Sequence, residues 1–145
     1  MKVFADTSGF FALMVSNDLM HMQAKQNFAY FSKNQVQLVT SSFVLVETTA
    51  LLQRRIGLAP VHDFNAKILP LLDVIWVDCE WYTRAMQRLL VLNNRNVSLV
   101  DCVSFEIMEA QGITHAFTFD KHFEENGFAV YALHDSDVGR SSGNG

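Results

Sequence analysis

Short apolar runs, each closed by an acid or a small polar residue, alternate along this chain with longer segments of helical periodicity. Val3, Phe4 and Ala5 form the first run, which stops at Asp6 and reads as a buried strand. Residues 18–33 carry a helical pattern. A second strand is expected over residues 36–40, and Ser41 or Ser42 can cap the helix that follows to Arg55. Gly57 ends that helix, and Pro60 stands where a first helical turn accepts proline, so another helix is expected to about Leu72. Residues 74–77 read as a third strand, and Asp78 as the cap of a helix from Glu80 to about Asn93. Ser98 and Asp101 have the spacing of a capping box, opening a helix that stops at Gly112. A fourth strand is expected over residues 115–119, closed by Asp120, and a short fifth over residues 129–132.

Strands that alternate with helices imply parallel pairing through crossovers, with helices on both faces of one sheet. The expected fold class is therefore α/β. The 145 residues suit one domain, placed at residues 1–135, with a loose tail over residues 136–145 that ends rich in Ser and Gly. Half of the chain is hydrophobic, Phe occurs twelve times, and a chain of this size buries roughly 70% of its unfolded surface, so a full core is available. Charges interrupt every apolar stretch before the ~20 residues of a membrane span. Asp6 likewise interrupts the apolar start too early for a signal peptide, and a cytoplasmic location is expected. Cys79 and Cys102 share no metal-binding or redox spacing and read as two buried thiols.

A net charge of −4 argues mildly against a polyanionic partner, unless several carboxylates sit together and bind cations. Four acids stand where burial makes an ionised group costly. Asp6 ends the first strand, Glu47 is the lone charge between Ser41 and Leu52, Asp101 is the lone charge between Val97 and Phe105, and Asp120 closes the fourth strand. Each has a plainer explanation. Asp6 can cap a helix near Phe10, Glu47 can face solvent, Asp101 can serve only its capping box, and Asp120 can shape a turn. Geometry favours the four together, because ligands of an open parallel sheet collect at the carboxyl ends of its strands. Carboxylates converging there call for a divalent cation with oxygen ligands, Mg²⁺ or Mn²⁺, and no His/Cys set is available for zinc. Carboxylate-held ions of this kind recur in phosphodiester cleavage.

Asp6-Thr7-Ser8, Glu47 within Val46-Glu47-Thr48, Ser98-Leu99-Val100-Asp101-Cys102 and Thr118-Phe119-Asp120-Lys121-His122-Phe123 together resemble the PIN-domain family, in particular the VapC-type toxins of toxin–antitoxin pairs. The likeness runs from the first strand to about Leu133. It implies a three-layer α/β/α sandwich around a central parallel sheet of four to five strands, and a Mg²⁺- or Mn²⁺-dependent endoribonuclease toxin. It also implies a cognate antitoxin and a homodimer. By position it makes Asp6, Glu47, Asp101 and Asp120 the catalytic and metal-binding acids, with Asp6 and Asp101 touching the ion. Ser8 and Thr7 would support Asp6, and Thr118 would support Asp120. Arg54, Arg55, Arg84, Arg88, Arg95 and Lys121 are candidate phosphate contacts, and Phe10, Phe11 or Phe123 a platform for an unstacked base.

Other readings are a catalytically idle PIN-like module that binds RNA or protein, and a different metal-dependent phosphohydrolase. The dipeptides His62-Asp63 and His134-Asp135 lack the companion histidines of HD phosphohydrolases. Asp6-Thr7-Ser8 lacks the second aspartate of haloacid-dehalogenase-type phosphatases, and neither a P-loop nor a dinucleotide-binding glycine motif is present.

Overall fold

Val3, Phe4 and Ala5 are all fully buried, which a strand achieves only when both of its faces are covered. This strand, β1 (Lys2–Ala5), lies at the centre of a five-stranded sheet with β2 (Gln37–Ser41), β3 (Leu72–Ile75), β4 (His115–Phe117) and β5 (Ala129–Val130). The order is β3-β2-β1-β4-β5 and every pairing is parallel. The structure is a computed structural model and describes residues 1–133. The final residues of the expected domain, with His134-Asp135, and the expected tail lie outside the described residues.

Seven α-helices connect the strands among the described residues: α1 (Thr7–Met14), α2 (His21–Lys33), α3 (Ser42–Arg55), α4 (Leu58–Asp63), α5 (Cys79–Leu92), α6 (Leu99–Gln111) and α7 (His122–Glu125). α1 packs on α2 and α3, and α3 on α4; α5 packs on α6 and α6 on α7, with a smaller contact between α3 and α6. Successive strands step to one side of β1 and then to the other. Right-handed crossovers must then put the two helix groups on opposite faces, which gives the three layers. The reversal makes the carboxyl ends of β1 and β4 the switch point of the sheet, where a crevice opens.

Several boundaries differ from expectation, each for a local reason. The first helix-forming stretch, expected only as something Asp6 could cap, is a full two-turn helix. Asp18 does not begin α2; its carboxylate accepts from the Met20 N–H at 2.8 Å in a turn, and α2 starts at His21. The helix expected to reach Leu72 is broken into α4, a π-turn over Phe64–Ile68 and a 3₁₀ turn over Leu69–Leu71, where Pro70 supplies no N–H donor. β3 consequently begins two residues early and Trp76 falls beyond it, 71% exposed. β4 stops at Phe117 because the Phe119 N–H turns to the Ser8 hydroxyl, at 2.8 Å. Cys102 is buried as expected, but Cys79 opens α5 and is exposed. Ser41 and Asp78 cap α3 and α5, accepting from Val44 N–H (3.2 Å) and Trp81 N–H (2.9 Å).

Candidate active site

Asp6 follows β1 directly, and its backbone N–H donates to the Phe117 carbonyl at 3.1 Å, carrying the β1–β4 ladder one residue further. It is therefore fixed beside the end of β4, at the switch point of the sheet. The close approach depends on Gly9. A Cβ there would lie 2.5 Å from the Phe117 carbonyl oxygen and 2.9 Å from its ring, so only glycine lets the start of α1 rest on β4.

Three oxygens form the heart of the site. Ser8 Oγ donates to Asp6 Oδ2 at 3.0 Å, Thr118 Oγ1 donates to the same oxygen at 3.0 Å, and the two hydroxyls lie 2.9 Å apart. The Ser8 N–H also reaches Oδ2, at 3.4 Å, so Asp6 does cap α1. These bonds all fall on Oδ2, and the Thr7 backbone N–H adds a further hydrogen bond to the carboxylate. Ser8 thus holds a carboxylate, as its position suggested. Thr118 serves Asp6 rather than the Asp120 carboxylate; it receives only the Asp120 backbone N–H, at 3.0 Å. Thr7 points elsewhere. Its hydroxyl accepts from Thr48 at 3.3 Å, pinning α1 to α3 one residue after Glu47.

Asp101 enters from α6. The capping box forms in full, with Asp101 N–H donating to Ser98 Oγ at 3.0 Å and Ser98 N–H to Asp101 Oδ2 at 3.2 Å. Asp120 shapes a turn, its Oδ1 accepting from the His122 N–H at 2.9 Å. The plainer roles of three aspartates are therefore real. Glu47 is half-buried on α3.

Electrostatics tie the four together. Burial, and then the charge of Asp101, push the Asp6 carboxyl from 3.8 to about 7, against the hydrogen bonds from Thr118, Ser8 and the Thr7 backbone. Asp101 is raised by burial and further by Asp120 and Glu47, while its bonds with Ser98 oppose the rise. Asp101 is the hub that feels or is felt by the other three. No lysine or arginine among the described residues pairs with any of them. The imidazole of His122 lies close by, with Nε2 at 3.9 Å from Asp120 and Nδ1 at 3.1 Å from Glu125. Glu125, then Asp120 and Asp101, raise this imidazole's pKa, against a smaller opposing effect of burial. The place of His122 two residues after Asp120 is the signal in the sequence that could have singled it out.

Among the described residues no three His, Cys, Asp or Glu side chains are gathered tightly enough to close a ligand set on one ion. An all-oxygen donor set without a cationic partner still suits Mg²⁺ or Mn²⁺, because Mg²⁺ commonly takes one or two carboxylates and keeps several waters. The carboxylates of Asp6 and Asp101, with no lysine or arginine paired to them among the described residues, fit that demand. The aromatic platform does not survive intact. Phe10 and Phe123 are fully buried in the core, and Phe11 is half-buried with the Arg55 guanidinium over its ring at 5.6 Å.

A three-layer α/β sandwich with acids at the switch point of its parallel sheet places them where proteins of this class bind their ligands. The PIN domain model matches residues 3–129, and the chain belongs to the PIN-domain family. Over 127 residues it is 36% identical to the 23S rRNA-specific endonuclease VapC20 of Mycobacterium tuberculosis, in both strains compared, spanning 87% of this chain and 95% of that protein. The crystal structure of M. tuberculosis VapC20, described as a sarcin-ricin loop cleaving toxin, superposes with a TM-score of 0.81 and 31% identity. The match covers 90% of this chain and 99% of that one. The VapC-type resemblance and the α/β/α fold expected from the sequence are both met.

Proposed function

We propose that this chain is a divalent-metal-dependent endoribonuclease, the toxin of a VapC-type pair, with Asp6, Glu47, Asp101 and Asp120 as its catalytic and metal-binding acids. The observation that carries the reading is the acidic cluster: four carboxylates from four segments, coupled through Asp101 and two of them buried, with no lysine or arginine paired to them among the described residues. Leaving such charges uncompensated is costly, and a divalent cation is the compensation their oxygen chemistry suits. Asp6 and Asp101 would hold the ion through their carboxylates. When bound, it would make water nucleophilic at neutral pH and offset charge on the phosphoryl oxygens.

The chain's own residues supply the rest. Ser8 and Thr118 fix the Asp6 carboxylate, and Ser98 fixes that of Asp101, so both are aimed before substrate arrives. Glu47 or Asp120 takes the proton of the attacking water as its oxygen bonds to phosphorus and the P–O3′ bond breaks. The products would be a 5′-phosphate and a 3′-hydroxyl, the 3′ oxygen being protonated from solvent.

The relatives act on 23S ribosomal RNA, and a ribosomal stem-loop is the first substrate to offer. A cognate antitoxin and a homodimer belong to the same proposal; the exposed Val46 and Trp76 provide apolar surface for a protein partner. A cytoplasmic location fits such a role, and no described helix is long and apolar enough to cross a membrane. Labelled ribosomal, transfer and messenger RNA incubated with Mn²⁺, Mg²⁺ or EDTA test the reading, beside Asp6→Asn and Asp101→Asn. Metal-dependent cleavage that both substitutions abolish supports it, and cleavage that survives them and chelation defeats it.

A further inference from the structure

The six cations offered by the sequence as phosphate contacts are not equally free. Arg88 lies between α5 and α6, mostly covered, and pairs with Glu106 and Glu109. The Arg84 guanidinium sits over the Trp81 ring at 5.0 Å, as Arg55 does over Phe11. Arg54 stands seven residues beyond Glu47 on α3, about 10 Å down the helix axis and away from the carboxyl edge of the sheet.

Two cations remain beside the acids. Lys121 follows Asp120 in the chain and is exposed. Arg95 is exposed in the loop between α5 and α6, and three residues later Ser98 holds the Asp101 carboxylate through its N–H. Three residues of chain span at most ~11 Å. The buried Val97 anchors this loop to the body of the protein. Neither cation pairs with an acid among the described residues.

A chain of net charge −4 with an acidic crevice repels an incoming polyanion, so the attraction has to be supplied locally, next to the acids. We propose that Arg95 and Lys121 grip backbone phosphates of the RNA strand adjacent to the scissile one. The inference rests on the nuclease reading and deepens it. The two cations stand on separate segments, one in the loop that leads into the Ser98 cap of Asp101 and one next to Asp120 in the chain, so together they would fix the strand at two points and set which phosphate reaches the acids.

The test is kcat/KM for a stem-loop RNA in Mn²⁺ over a KCl series. The proteins are wild type, Arg95→Gln, Lys121→Gln, the double variant, Arg95→Lys, and Lys2→Gln as a control at the amino edge of the sheet. Each neutralisation is expected to lower kcat/KM on the order of two- to fivefold, the range of an exposed ion pair. Each should also make the slope of log kcat/KM against log salt shallower by about 0.7, the value per phosphate contact on a single strand. Arg95→Lys should restore the slope, and Lys2→Gln should leave it unchanged. Unchanged slopes in both neutralised variants, or an equal change in Lys2→Gln, overturn the pair. If wild type cuts no RNA, the nuclease reading falls on its own account. Binding of the same RNA over the same salt series then decides on the cations, with equal slopes across the variants counting against them.

Discussion

Replacing Asp6 by asparagine in the metal-free protein isolates the cost of burying that carboxylate. Asp6 is 3% exposed and its carboxyl is pushed from 3.8 to about 7, first by burial and then by Asp101. Between those two values the unfolded chain carries an ionised Asp6 and the folded chain a protonated one. The folded form then binds more protons, so stability falls as pH rises through this window, and above about 7 the full cost is present. At 1.36 kcal/mol per pH unit the cost is about 4 kcal/mol. Asparagine keeps the shape and can still accept from Ser8 and Thr118, but it carries no charge. In EDTA, Asp6→Asn should match wild type near pH 4 and exceed it at pH 8 by about 4 kcal/mol, on the order of 10 °C in midpoint for a chain of this size. Adding Mn²⁺ at pH 8 should reverse the order, since the ion stabilises only the protein that binds it. Thermal unfolding across pH, with and without metal, measures both. Equal midpoints at pH 8 in EDTA would refute the reasoning, because they would mean that hydrogen bonds alone satisfy an ionised Asp6.

Gly9→Ala forces a Cβ into the Phe117 carbonyl and should destabilise the fold by about 1–3 kcal/mol while moving Asp6 away from Thr118; urea unfolding and cleavage rate should fall together. Thr118→Val and Ser8→Ala each remove a bond that aims Asp6, and should raise the Mn²⁺ concentration for half-maximal cleavage on the order of 10- to 100-fold, read from a metal titration. Ser98→Ala removes the α6 cap and should cost about 0.5–2 kcal/mol by denaturant unfolding. The same change should weaken cleavage, since Asp101 loses the helix end that positions it.

The local signals were strong where chemistry acts over a few residues. Ser98 and Asp101 form the capping box that their spacing announces, Asp78 caps α5, Gly112 ends α6, and the apolar runs become strands of a parallel sheet covered on both faces. The four acids were visible as charges inside apolar surroundings, because burying a carboxylate is costly wherever it happens. What a linear reading could not decide was partnership. Thr118 stands beside Asp120 in the chain yet gives its hydroxyl to Asp6, 112 residues away, because the β1–β4 pairing brings those two strand ends together. Gly9 looked like any glycine until β4 lay against it, and Phe10 and Phe123 looked available until the core closed over them. Propensity and capping are nearest-neighbour effects written in sequence order. The shared carboxylate, the close packing and the choice of which cations stay free belong to contacts between distant segments, and only the folded chain determines those.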